Sequence, residues 1–117
     1  MTLQQIVQRL ELAPLNPQGA FDASREVNRA HASDLLSDVL ANAPGGGLLL
    51  TTQVHLNVIA VAVHAGLSAV IFTSGLSPER EVLERAAVEG LPLFGTREST
   101  FDVAGKLYAL GLRGRSG

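Results

Sequence analysis

Residues 48–72 read LLLTTQVHLNVIAVAVHAGLSAVIF, and this stretch decides the fold. Its first three residues form a short apolar run followed by threonines, which is typical of a strand buried on both faces. A helix is predicted from about Val54 to Ala65, and because it is apolar on most sides we expect it to be sandwiched. Residues 69–72 predict a second buried strand. A strand, a helix and a strand in this order predict a right-handed crossover between parallel strands.

The same alternation continues toward the C-terminus. Ser77 followed by Pro78 predicts the start of a helix, whose inward face comprises Leu83, Ala86 and Ala87. A third buried strand is predicted over residues 91–94. Ser99 with Asp102 forms a capping-box pattern that opens a last helix. Strands and helices that alternate in this way predict an α/β fold, a three-layer α/β/α sandwich around a mostly parallel sheet.

Toward the N-terminus the pattern is less regular. The apolar spacing over residues 3–10 predicts a helix, and Thr2 begins it with a capping-box pattern. Val27 is predicted to lie in a short edge strand. Ser33 predicts the N-cap of a further helix, with Asp34 in its first turn. The buried face of this helix is predicted to comprise Leu35, Leu36, Val39 and Leu40.

Length and composition restrict the chain to few classes. It has 117 residues, of which 46% are apolar and 17% charged, so we expect one folded domain over 1–117 with a frayed tail at 113–117. The absence of cysteine excludes disulfides and thiol catalysis. A net charge of −2 and 4% aromatic residues argue against nucleic-acid binding. The longest apolar run, Val58–Val63, is too short to span a membrane, and no secretory signal is recognisable, so we expect a cytoplasmic protein.

Hydroxyl residues follow each of the three predicted strands. In a parallel sheet the strand ends lie along one edge, where the following helices also present unsatisfied N–H groups that favour an anion. We therefore predict that this edge binds a small anionic metabolite or nucleotide. The alternative is that the hydroxyl groups only cap helices. The candidate ligand-binding residues are Thr51, Thr52, His55, Asn57, Thr73, Ser74, Gly75, Thr96 and Ser99.

Other kinds of site find little support in the sequence. The glycine triplet at residues 45–47 lacks the preceding strand and the following Lys-Ser or Lys-Thr pair of a phosphate-binding P-loop, and the only lysine is Lys106. His55 and His64 are too far apart on one helix to share a zinc ion. His31 could join Asp34 or Asp38, but these carboxylates suit a helix N-terminus and a solvent-facing position. We therefore predict no metal, no cofactor and no catalytic group.

Several segments together resemble the DRTGG domain family. These segments are residues 32–40, the pattern Thr-x-x-His-x-Asn-x-x-Ala-Val-Ala at 52–62, Val-Ile-Phe-Thr-Ser-Gly at 70–75, and Gly-Leu-Pro-Leu at 90–93 followed by Thr96. The short form of the family is similar to proteins encoded beside iron-only hydrogenase genes. The resemblance implies a fold like the N-terminal domain of HPr kinase, self-association and a regulatory role. The family's Asp-Arg pair would fall near residues 54–55 and is missing here.

Three functions remain open at this point. The first is a non-catalytic regulatory or ligand-sensing domain that works as a homo-oligomer, most simply a dimer, because the apolar surplus suits a subunit contact. The second is a structural adaptor for a redox enzyme of the iron-only hydrogenase type, without a small ligand. The third is a small enzyme with His55 as acid or base.

Overall fold

The computed structural model describes residues 1–16 and 21–115, which form a five-stranded sheet with helices on both faces. The strand order is β1-β5-β4-β3-β2, in which β1 pairs antiparallel with β5 and every other pair is parallel. The strands are β1 (Ala13–Pro14), β2 (Ala30–Ala32), β3 (Leu48–Thr51), β4 (Ala69–Phe72) and β5 (Leu93–Gly95). The helices are α1 (Leu3–Leu10), α2 (Leu36–Asn42), α3 (Leu56–His64), α4 (Arg80–Glu89) and α5 (Thr100–Ala109).

The direction in which the chain crosses the sheet decides where the helices lie. From β2 to β5 each parallel strand is added beside the previous one without a reversal of order. Because such crossovers are right-handed, α2, α3 and α4 are all placed on the same face. The opposite face would remain exposed, and it is covered by the first and last helices, α1 and α5.

Alternate residues of the central strands supply two separate hydrophobic cores. Leu48 and Leu50 of β3 face α1 and α5, whereas Leu49 faces α2, α3 and α4. In β4, Ile71 packs in the core beneath α1 and α5, and Phe72 packs in the core beneath α2, α3 and α4. Strands buried on both faces read as continuous apolar runs, as the sequence shows. The predicted α/β/α architecture with a mostly parallel sheet is confirmed.

Both edge strands differ from the sequence prediction. The predicted edge strand at Val27 is wrong, since Val27 is a buried residue outside the sheet whose N–H donates to the carbonyl of Met1. The strand at this edge is β2, three residues later. The other edge strand, β1, has only two residues and was not predicted. Neither segment is long enough to show a hydrophobic period.

The start of α2 also differs. The prediction that Ser33 caps this helix is wrong, because α2 begins at Leu36 and its N-cap residue, Leu35, makes no side-chain capping bond. Asp34 therefore precedes the helix instead of lying in its first turn. The predicted buried face is also too wide: Val39 is buried and Leu36 half-buried, but the exposed fractions are 64% for Leu35 and 50% for Leu40.

Two further helices depart from their predicted packing. Ser77 does not cap α4, whose N-cap position is Glu79, and Ala87 is exposed instead of facing inward. Strand β5 begins two residues later than predicted. Helix α3 buries one side, but Leu56 and Val63 on its outer side are exposed, so it is not sandwiched.

The described part of the C-terminal tail is bound to the protein. The backbone N–H of Arg113 donates to the carbonyl of Asn28, and the carbonyl of Arg113 accepts from the N–H of Ala30 at the start of β2. Arg115 donates from its side chain to Asn42 of α2 at 2.7 Å. These contacts differ from the frayed tail expected at 113–117. Residues 116 and 117, and Pro17 in the N-terminal connection, lie outside the described ranges.

No helix within residues 1–16 and 21–115 combines the length and the apolar composition needed to cross a membrane.

The glycine triplet before β3 contains one position where a side chain does not fit. A Cβ at Gly47 would lie 3.0 Å from the carbonyl oxygens of both Arg29 and Pro44. At Gly45 the nearest backbone atom would be 3.6 Å away, which is an ordinary contact. The triplet thus ends the segment after α2 and also forms a tight turn that packs against the residue preceding β2, Arg29.

We expect Gly47→Ala to lower the free energy of unfolding by about 1–3 kcal/mol, because two backbone carbonyls must move. Gly45→Ala is the matched control and should change stability by no more than about 0.5 kcal/mol. Urea denaturation of the two variants measures both values. Equal stabilities would contradict the proposed close approach.

Candidate functional site

The carboxyl edge of the parallel sheet contains a point where adjacent connections diverge. The connection after β4 leads to α4 on one face, and the connection after β5 leads to α5 on the other. Open α/β sheets bind ligands where neighbouring connections leave on opposite sides. The ends of β4 and β5 are therefore the most favourable place on this edge for a ligand.

Backbone hydrogen bonds join the two diverging connections. The N–H of Ser74 donates to the carbonyl of Glu98 at 2.7 Å, and the N–H of Gly75 donates to that of Thr96 at 2.9 Å. Both donors have left-handed backbones, with φ of 62° at Ser74 and 73° at Gly75. Such a conformation is unfavourable for serine. The tight turn after β4 is thus held against the connection after β5.

Two of the predicted threonines are buried and use their hydroxyl groups within the protein. The Thr73 and Thr100 hydroxyl groups lie 2.6 Å apart. The Thr51 hydroxyl donates to Asp34 at 2.9 Å and accepts from the N–H of Gln53 at 3.1 Å. These contacts tie the ends of β3 and β4 to the loop before α2 and to the start of α5. Neither hydroxyl caps a helix, which is the structural role that the sequence offered as the alternative.

Asp34 occupies the end of β3, which sequence reasoning did not foresee. One of its carboxylate oxygens accepts from the Thr52 N–H at 2.7 Å as well as from the Thr51 hydroxyl. These hydrogen bonds lower the pKa of Asp34 from its usual value, and the bond from the Thr52 backbone contributes most. Burial of the carboxylate acts in the opposite direction. A carboxylate that already uses this N–H disfavours an anionic ligand at the end of β3.

His55 and Asn57, two further predicted residues, lie at the start of α3. His55 is the N-cap residue of α3 and makes no side-chain capping bond, and Asn57 is the second residue of the helix. Both side chains are exposed. Ser99 has a structural role, since its hydroxyl accepts from the N–H of Asp102 and caps α5 as predicted.

An open cavity of about 410 Å³ lies beside the point of divergence. This volume is within the range of small-molecule sites. Its walls come from the connections after β4 and β5 and from the segment around β1. The lining residues are Glu11, Ala13, Leu15, Gly75, Leu76, Ser77, Gly95, Thr96 and Arg97.

Arg97 is the cation in the wall of this cavity and was not singled out from the sequence. It is exposed, and among the described backbone hydrogen bonds neither its N–H nor that of Ser77 donates to a carbonyl. The Thr96 hydroxyl accepts from the Glu98 N–H at 3.2 Å, which leaves its proton for another acceptor. Guanidinium, hydroxyl and backbone N–H groups together can bind an anionic group. Glu11 introduces one opposing carboxylate.

A second polar cluster lies between β2 and the first turn of α2. His31 Nε2 is 2.7 Å from Asp38, and Asn42 donates to the same carboxylate at 2.8 Å. The hydrogen bond from Asn42, followed by that with His31, lowers the pKa of Asp38 to about 2. The solvent-facing role given to Asp38 is thus too simple. In the described ranges no three histidine, aspartate or glutamate side chains come together in a way that could hold a metal ion.

Sequence signals for the missed residues are weak. Asp34 follows Ser33 in a pattern that equally suits a helix start, and only the position of β2 shows that it faces β3. Glu98 forms an ion pair with Lys106 at 2.6 Å. The two residues are eight positions apart and the start of α5 lies between them, so no local sequence motif indicates the pair. Arg97 stands between a strand end and a helix cap, where an exposed arginine is common.

Comparison with known proteins identifies the family. The DRTGG domain profile matches residues 44–110, which include β3, β4, β5 and the helices that follow them. No curated protein matches the chain. Among solved structures, the chain is similar to the CBS and DRTGG domains of the regulatory region of Clostridium perfringens pyrophosphatase, complexed with its activator diadenosine tetraphosphate. The TM-score is 0.68 at 15% identity, and the match covers 91% of this chain and 45% of that one.

The carboxylate at the end of β3 makes stability dependent on pH. Because the pKa of Asp34 is lower in the folded state, its contribution is complete above the unfolded pKa of about 4 and is lost as pH falls through the folded value. We expect Asp34→Asn to lower the free energy of unfolding by about 1 kcal/mol at pH 7. The difference from wild type should shrink in urea titrations as pH falls below about 4. A difference independent of pH would contradict this role.

The turn after β4 allows a matched test of backbone strain. Gly75→Ala should lower the free energy of unfolding by about 1 kcal/mol, because alanine disfavours a positive φ. Ser74→Gly should raise it or leave it unchanged, since glycine relieves the same strain one position earlier. Thermal denaturation of both variants tests the pair. Opposite signs would show that the turn is not held in this conformation in solution.

Proposed function

The chain belongs to the DRTGG domain family, and we propose that it is a non-catalytic regulatory domain that senses a small ligand carrying an anionic group. The ligand class that we propose is a phosphorylated metabolite or a nucleotide. We propose further that it binds where the connections after β4 and β5 diverge.

The observation that carries this proposal is the cavity of about 410 Å³ beside the diverging connections. It unites Gly75 and Thr96 of the expected site with Ser77 and Arg97. An anion placed there could accept from the guanidinium of Arg97 and from the hydroxyl groups, in charge-assisted hydrogen bonds that are stronger than neutral ones. Its apolar walls, such as Leu76, suit a nucleoside or another apolar body.

The structural relative supports the ligand class by analogy. Its activator, diadenosine tetraphosphate, is a nucleotide with several phosphate groups. This chain spans 45% of that chain, so the activator could contact parts that have no counterpart here. Arg97 offers one positive charge and Glu11 lies in the same cavity, which favours a ligand with few phosphate groups.

The non-catalytic part of the proposal is supported by the surroundings of His55. A general base is oriented by a hydrogen-bonded neighbour and reaches its substrate at about 3 Å. His55 is exposed at the start of α3, and it does not line the cavity. The lowered pKa of Asp34 follows from hydrogen bonds that hold the loop before α2 against β3, which is a structural cause.

Self-association and a cytoplasmic location remain part of the proposal, with a homodimer as the simplest assembly. The adaptor for a redox enzyme, with no ligand of its own, is the alternative. The two differ in one measurable property, because a ligand that binds only the folded state raises the melting temperature and an adaptor without a ligand shows no such shift.

A thermal-shift assay with AMP, ATP, diadenosine tetraphosphate and inorganic phosphate tests the ligand proposal. A probe at 100 times its Kd adds about 2.7 kcal/mol, which raises Tm by about 10 °C for a domain of this size. Arg97→Gln should weaken the binding of an effective probe at least tenfold, because a charge-assisted hydrogen bond contributes about 1.5–3 kcal/mol.

Arg25→Gln is the matched control, since Arg25 is an exposed arginine in the wall of another cavity, near the residues that precede β5. It should leave the shift unchanged. Equal losses in both variants would move the site away from the end of β5. No shift with any of the four probes would overturn the ligand proposal and favour the adaptor.

A further inference from the structure

Glu11 contributes a carboxylate to the wall of the cavity beside β5. It is the C-cap residue of α1, and its φ of 52° is the left-handed conformation that is usual for glycine at helix ends. Ser74, the other non-glycine residue with a positive φ in the described ranges, directly precedes Gly75 in the same wall. Backbone strain of this kind is common at ligand sites. Both strained residues of the described chain therefore stand at this cavity.

The pairing of β1 with β5 explains how Glu11 and Arg97 reach one cavity. In this antiparallel pair Ala13 lies opposite Gly95. Glu11 precedes Ala13 by two residues and Arg97 follows Gly95 by two, so both lie just beyond the same end of the paired segment. Within the described ranges no ion pair includes either side chain. The cavity therefore presents a cation and a carboxylate that are not bound to each other.

The protein itself gives little reason for a glutamate at this position. The negative end of the α1 dipole disfavours a carboxylate there. The pKa of Lys106 is raised first by its hydrogen bond to Glu98, and Glu11 is the last of the charges that contribute. Lys106 lies 2.6 Å from Glu98. No ion pair among the described residues therefore explains why Glu11 occupies a strained position.

A carboxylate and a guanidinium in one cavity suit a ligand with an anionic group at one end and hydrogen-bond donors at the other. A carboxylate only accepts hydrogen bonds, and its two oxygens can accept from two adjacent hydroxyl groups. In other α/β sheets an acidic side chain near the strand ends binds ribose hydroxyl groups. The same carboxylate repels additional phosphate groups. Leu15 and Leu76 provide apolar walls for a base.

We propose that Glu11 binds the ribose hydroxyl groups of the ligand and makes the cavity selective for a ribonucleoside monophosphate. This inference rests on the ligand site proposed above and adds its selectivity. Arg97 and the Thr96 hydroxyl bind the single phosphate, and Glu11 holds the sugar. A second or third phosphate would meet the Glu11 carboxylate, and the described wall contains no further cation to bind it.

Calorimetric titration of the unmodified chain, without divalent cations, tests the selectivity. AMP, GMP, CMP and UMP are compared first. The tightest of them is then compared with its 2′-deoxy form, its triphosphate, and O-phosphoethanolamine, in which an amine replaces the sugar. We expect the 2′-deoxy form to bind about tenfold more weakly or worse, because one hydrogen bond to a charged acceptor is lost. The triphosphate and O-phosphoethanolamine should also bind more weakly.

Glu11→Gln keeps the size of the side chain and removes its charge. It should reduce the preference for the ribose form to about threefold and strengthen binding of the triphosphate about fivefold. Glu84→Gln is the matched control, because it removes the same charge from an exposed glutamate that pairs with Arg80 at 3.4 Å and lies outside the cavity wall. This control should leave both ratios unchanged.

The free protein gives a second readout of the strained position. Glu11→Gly should raise Tm by about 4 °C, because glycine relieves the positive φ. The same variant should lose the preference for the ribose form. A lower Tm would show that Glu11 serves stability and would overturn its role in ligand selection.

Failure of this proposal can be told apart from failure of the ligand site. Equal affinities for the ribose and 2′-deoxy forms, with Arg97→Gln still weakening both, would overturn the role of Glu11 and leave the site intact. Tighter binding of O-phosphoethanolamine than of every monophosphate would assign an amine to Glu11 and overturn the ribose assignment. No binding of any probe would overturn both proposals.

Discussion

The handedness of crossover connections is the constraint on which this structure depends. Since β2, β3, β4 and β5 follow one another in space without a reversal, every crossover helix must lie on the same face of the sheet. The other face would expose Leu48, Leu50 and Ile71 to water, and α1 and α5 cover them. The divergence of the chain after β5, which opens the cavity beside that strand, follows from the need to cover this second face.

The sequence predicts those parts of the fold that have long apolar patterns. Strands β3 and β4, the helix between them and the helix caps at Thr2 and Ser99 follow from local patterns and are present. Strands β1 and β2 have two and three residues, and their pairing depends on distant partners that no local pattern reveals. The start of α2 was misplaced because Ser33 and Asp34 suit a helix cap in sequence, whereas Asp34 bonds to the end of β3 in the structure.

The candidate site shows the same division between local and distant causes. The sequence shows hydroxyl residues after β3, β4 and β5, because the ends of these strands are visible in a single chain segment. It does not show that Thr51 and Thr73 use their hydroxyl groups internally, since their partners are 17 and 27 residues away. Nor does it show which connections diverge, and this decides that Arg97, rather than His55, lies beside a cavity.

Among the described residues, each lateral edge of the sheet offers little free backbone to a further strand. At one edge β1 has only two residues, and Pro14 lacks an N–H to donate. At the other, the backbone of Arg113 occupies the beginning of β2. In the described ranges neither edge therefore presents a long free row of N–H and C=O groups, which disfavours the edge-to-edge pairing that leads to fibrils.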